Sequence, residues 1–157
     1  MDSVGGDPRI AFVAALPTSR RVGLYSAAPE LVRTFDVSSP LFVSDGRSLG
    51  HTDARTSVLW GRTNSTISQV FAFGQVVATI HTTNDVSADW NYTRPVRFKV
   101  LMNLHRLDGS PIALDIALAD LPIGRDEDHL YVIDYGAKGR NEPNDRVVLL
   151  SYPIPRR

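Results

Sequence analysis

The chain has 157 residues, 17 of them basic and 17 acidic, so its formal net charge at pH 7 is zero. That balance lacks the positive field a general nucleic-acid or anionic-membrane binder needs, and the absence of cysteine excludes a disulfide framework and thiolate-ligated zinc or iron–sulfur sites. A hydrophobic share of 43% is that of an ordinary globular chain, and the length predicts one domain over residues 1–157.

Taken in order, residues 1–8 are polar and glycine-rich and read as an N-terminal arm. Ile10, Phe12, Ala14 and Leu16 alternate with the equally apolar Val13 and Ala15, which predicts a strand buried on both faces. Residues 21–26 read as a short strand. Pro29, followed by Glu30, Leu31, Val32 and Arg33, suits the first turn of a helix. Leu41, Phe42 and Val43 read as a short strand stopped by Ser44, Asp45 and Gly46, and residues 56–61 as another around Val58 and Trp60. Residues 67–82 are the longest apolar run. They read as one strand covered on both sides, with Gly74 marking a bulge or bend.

The central feature is a long hairpin over residues 95–119. On its first arm Val96, Phe98, Val100, Met102 and Leu104 alternate with Arg97, Lys99, Leu101, Asn103 and His105. On its second, Ile112, Leu114, Ile116 and Leu118 alternate with Ala113, Asp115, Ala117 and Ala119. Cross-strand partners point to the same face, so the register must set one apolar row against the other. A two-residue Asp108-Gly109 turn fails this test, because it sets Met102 opposite Asp115. A three-residue loop of Leu107, Asp108 and Gly109 passes. It predicts Leu104 opposite Ile112, Met102 opposite Leu114, Val100 opposite Ile116 and Phe98 opposite Leu118, with Gly109 left-handed in a G1 bulge. The second face, with Lys99, Asn103, His105 and a strip of alanines, reads as solvated.

Beyond the hairpin, residues 129–135 and 146–152 read as the last two strands, and the proline-rich residues 153–157 as a C-terminal tail. Eight to ten short strands with little helix predict an all-β fold, an antiparallel β-sandwich of jelly-roll or Greek-key type.

Chemical signals are sparse. The four histidines, at 51, 81, 105 and 129, show no paired metal-ligand spacing. His105 reads as a solvated imidazole beside the turn, and His81 as a hydrogen-bonded residue at a strand end. The densest group of oxygen and nitrogen ligands is Asp126, Glu127, Asp128 and His129, a run more typical of a solvated turn than of a calcium loop. No Gly-x-Ser-x-Gly elbow or phosphate loop is present. No catalytic residue, cofactor or metal is therefore assigned. Trp90 and Tyr92, in a loop with Asp89 and Asn91, have the composition of a sugar-binding or protein-binding loop.

These features predict a non-enzymatic structural protein: a β-sandwich subunit that packs with itself or a larger scaffold, as virion coat, matrix or decoration proteins do. The alternative is a ligand-binding module, for carbohydrate, reading through Trp90, Tyr92, Asn91 and Asp89. No signal-peptide pattern and no apolar run of membrane-spanning length is seen, so a cytoplasmic or virion-associated location is expected, with neither nucleic acid nor membrane insertion.

Overall fold

The computed structural model describes residues 7–17, 19–44, 64–84, 98–136 and 147–155. Ten strands are found there and no α-helix: β1 (Phe12–Ala15), β2 (Arg21–Tyr25), β3 (Leu31–Asp36), β4 (Thr66–Phe73), β5 (Val76–Asn84), β6 (Phe98–Arg106), β7 (Pro111–Leu118), β8 (Pro122–Arg125), β9 (His129–Asp134) and β10 (Val148–Pro153). They build three antiparallel sheets in the orders β1-β2-β3, β4-β5-β6-β7 and β10-β9-β8. The fold is all-β and sandwich-like, as expected. Every described pairing joins chain neighbours, so each sheet is a meander, and the crossed strand order of a Greek key is not among them.

The four-stranded sheet is the middle layer. On one face Ile67, Ala72 and Val77 pack with Val22, Leu24, Phe35, Val37 and Phe42 of the first sheet and the segment after it. On the other, Phe73, Val76, Ala78, Ile80, Met102 and Leu104 pack with Leu130, Val132 and Ile154 of the third. A sheet covered on both faces needs strands apolar on both parities, which is the pattern of residues 67–82.

That run is two strands, not one. Gly74 and Gln75 make a two-residue loop between Phe73 and Val76, with φ +58° at Gly74. A glycine at the first loop position is the chemistry of a tight hairpin turn matched to strand twist. The turn sets Phe71 and Phe73 on the same face as Val76, Ala78 and Ile80, while Val70 and Ala72 join Val77.

The hairpin over β6 and β7 has the expected loop. Arg106 N–H donates to the Ser110 carbonyl at 2.9 Å, Gly109 N–H donates to the Arg106 carbonyl at 2.9 Å, and Gly109 has φ +88°. Further out the expected register fails. Leu104 faces Ala113 and not Ile112, Met102 faces Ile116 and not Leu114, and Val100 faces Leu118 and not Ile116. Two register shifts cause this, one on each side of Leu104. Together they restore the matched parity of the apolar rows, which is why Val100, Met102, Ile116 and Leu118 still share one core. At the second shift Asp115 takes φ +55° and gives its N–H to the Asn103 side chain at 2.9 Å. The alanine strip is broken, since Ala113 turns to the core side.

Other expectations also change. The face carrying Asn103 and His105 is not solvated, because the first sheet covers it and both residues are fully buried. Residues 29–33 form no helical turn; Leu31–Asp36 pairs with β2. β1 is half-buried along its length, not buried on both faces. Residues 41–43 are not a strand, and β8 is an additional one. Pro153 pairs with His129, and Ile154 enters the core, so the sheet runs into the expected tail.

Candidate functional site

The aromatic loop residues Trp90, Tyr92, Asn91 and Asp89, and also Trp60, lie outside the described residues. The other sequence candidate, the acidic segment, is the turn between β8 and β9. One ligand atom each from Asp126, Asp128 and His129 lie within 4.8 Å of one another. Their hydrogen bonds close the hairpin. Asp126 Oδ1 accepts the N–H groups of Asp128 at 3.0 Å and His129 at 2.8 Å, and Oδ2 accepts the Tyr131 hydroxyl at 2.6 Å. Asp128 Oδ1 lies 2.6 Å from His129 Nδ1. These three residues are the described set with donors suited to a cation, but the geometry accounts for them as a turn brace.

The Tyr131 hydroxyl, with the two backbone N–H groups, holds the Asp126 carboxyl well below the usual 3.8. A depressed carboxylate stabilises the fold above its unfolded pKa and loses that contribution as pH falls through its folded value. Asp126→Ala is therefore expected to lower the melting temperature at pH 7 and to speed exchange of the Asp128 and His129 amides. Asp126→Asn, which keeps an accepting oxygen, is expected to recover most of both. Equal melting temperatures for parent and Asp126→Ala would show that the brace contributes nothing.

On the outer face of the first sheet lies a concavity of about 310 Å³ bordered by Ala14, Leu16, Arg21, Tyr25, Leu31 and Thr34. The Tyr25 ring stacks on Phe12 at 5.1 Å and lies across Gly23. Arg21 Nε reaches Asp36 at 3.3 Å beside it, both side chains being solvent-exposed. The volume is at the lower limit for a small-molecule site.

Between the first two sheets lies a polar cluster that sequence reasoning missed. His81, Asn103, His105 and Thr79 are all fully buried on one face of the middle sheet. Asn103 Oδ1 accepts the Asp115 N–H at 2.9 Å, so its Nδ2 is the group that donates to His81 Nδ1 at 2.9 Å. His105 Nε2 accepts the Ser38 N–H at 3.3 Å. Ser39 Oγ–H donates to the Asp115 carboxylate and accepts the Leu41 N–H at 3.1 Å. Phe42 packs on His81 with ring centroids 5.1 Å apart, and Phe35 on His105 at 5.3 Å. Arg20 covers the far side, its guanidinium 5.4 Å from the Phe42 ring centroid and donating to the Phe42 carbonyl. Burial lowers both imidazoles, His81 to about 4. The signal available in the sequence was the parity that places both histidines on the same face as Val77, a core position.

No family model, curated protein or solved structure matched the chain. Among the described residues, no helix is long and apolar enough to cross a membrane.

Proposed function

We propose that the chain is a non-enzymatic assembly unit, a β-sandwich subunit that packs with copies of itself or with a larger scaffold of virion coat, matrix or decoration type. The apolar strands with two buried faces do not support this, because the chain's own outer sheets cover them. Support comes from the outer face of the third sheet. There Leu149, opposite Ile133 in the register, is 61% exposed, with Val147 at 55% and Ile123 at 56%. Isolated exposed apolar residues are ordinary, whereas several on the strands of one small sheet are a mark of a contact surface. The neutral charge balance suits a protein partner better than nucleic acid.

Absolute mass by light scattering across a dilution series tests the reading. Mass is expected to rise with concentration, and Leu149→Glu to return the chain to a monomer without changing its melting temperature. A strict monomer at every concentration overturns self-assembly.

The second reading is a carbohydrate-binding module using Trp90, Tyr92, Asn91 and Asp89. The concavity beside Tyr25 supports a ligand-binding role in general, and quenching of tryptophan fluorescence by oligosaccharides would distinguish it from assembly.

A further inference from the structure

We infer that residues 37–44 form an acid-released strap, latched across the middle sheet by the unprotonated imidazoles of His81 and His105. The strap follows β3 and lies over the polar face of β5, β6 and β7. Three contacts tie it to that face, Ser38 N–H to His105 Nε2, Ser39 Oγ to Asp115 and the Phe42 ring to His81, and its ends are held by Val37 N–H to the Arg20 carbonyl and Val43 N–H to Ser65 Oγ.

The hydrogen bonds fix the protonation state of both rings. His105 Nε2 receives an N–H and so carries no proton, which places the proton of the neutral ring on Nδ1. The Asn103 amide is oriented by the Asp115 N–H, so His81 Nδ1 also receives an N–H, and its proton sits on Nε2. The two remaining nitrogens, His81 Nε2 and His105 Nδ1, are buried and make no hydrogen bond among the described residues. Adding a proton to either ring turns an acceptor into a donor that faces another donor, and it buries a charge with no new partner. Opening the strap exposes that face to water and relieves both penalties.

The surrounding charges do not cancel the effect. His81 is faced by Asp115 from β7, which favours the imidazolium, and by Arg20 from the segment before β2, which opposes it; burial outweighs both. His105 meets the Phe35 ring and the Ser38 N–H, and burial alone sets its direction. Backbone pairing within the sheets carries no titrating group, so the strap is the element that protonation loosens first.

Hydrogen exchange of the full chain at pH 7.5 and pH 5, corrected for intrinsic rates, tests this. With His81 at about 4 in the closed state and at its ordinary 6.5 when exposed, strap amides are expected to lose protection roughly 30-fold at pH 5. Amides of β5 and β6, which exchange through global unfolding, are expected to fall by a similar factor but to stay far better protected than the strap at both pH values. Unchanged strap protection, or strap amides as well protected as those of β5 and β6 at pH 5, overturns the inference. The double variant His81→Gln, His105→Gln is expected to show the same strap protection at both pH values. Should that variant not fold, imidazole nitrogen spectra of the parent decide the matter. They are expected to show His81 protonated on Nε2 and His105 on Nδ1 at pH 7.5; the opposite tautomers, or rings already charged at pH 6.5, overturn the latch.

Discussion

Replacing Gly109 by valine is expected to destabilise the fold by about 3 kcal/mol, from two sources that act on the same atom. The three-residue loop needs a left-handed residue at its last position, and Gly109 has φ +88°. An L-residue there costs about 1–2 kcal/mol, more when branched at Cβ. A Cβ built on Gly109 would also lie 2.5 Å from the Cβ of Phe35 and 3.1 Å from its Cγ. Phe35 is a core residue of the first sheet and packs against His105, so it has little room to retreat; forcing extra atoms into such a core costs about 1–3 kcal/mol. Gly109→Asn separates the two contributions, since asparagine tolerates the left-handed conformation but brings the same Cβ. Urea unfolding is expected to rank the parent above Gly109→Asn and Gly109→Asn above Gly109→Val, with similar m-values. A valine variant as stable as the parent would mean that the loop is neither left-handed nor packed on Phe35.

That loop was legible because its determinants are local: a glycine, a parity constraint and two facing apolar rows. The register beyond it was not, because the shifts around Leu104 depend on a tertiary arrangement in which the Asn103 side chain takes the Asp115 N–H and Ser39 takes its carboxylate. The β4–β5 turn was within reach of the same parity argument. Grouping Phe71 and Phe73 with Val76, Ala78 and Ile80 requires a two-residue loop at Gly74, and that grouping makes one face consistently apolar. For residues 29–33, the local preference of proline for a first helical turn lost to pairing with β2. His105 shows the general limit. Alternation reveals which residues share a face, but what covers that face is decided by strands some 70 residues earlier in the chain, as the Ser38 contact shows. The acidic turn was found as a cluster, yet its role as a brace depends on Tyr131, which lies beyond the run.

Global stability is expected to fall by roughly 3 kcal/mol as pH drops from above 6.5 to 4, and His81 is the main cause. A base whose folded pKa is depressed binds fewer protons folded than unfolded, so its contribution is complete above the unfolded value and is lost as pH falls through the interval. For His81 the interval runs from 6.5 down to about 4, and one pKa unit is about 1.4 kcal/mol. His105 shifts in the same direction and deepens the loss. Asp126 does not contribute in this window, because its titration lies below the ordinary carboxylate value. Urea unfolding at pH 7.5 and pH 4.5 is expected to show the difference in the parent and a much smaller one in His81→Gln. A parent equally stable at both values would mean that His81 is hydrated in the folded chain. A loss of this size is a large fraction of the roughly 5–15 kcal/mol that stabilises a domain, yet it falls on one layer. Among the described residues, the core between the middle and third sheets, built on Ile80, Met102, Leu130 and Val132, holds no buried histidine. Acid therefore acts directly on the contacts of one side of the middle sheet, those closed by the strap, and on the other side only through the lowered stability of the whole.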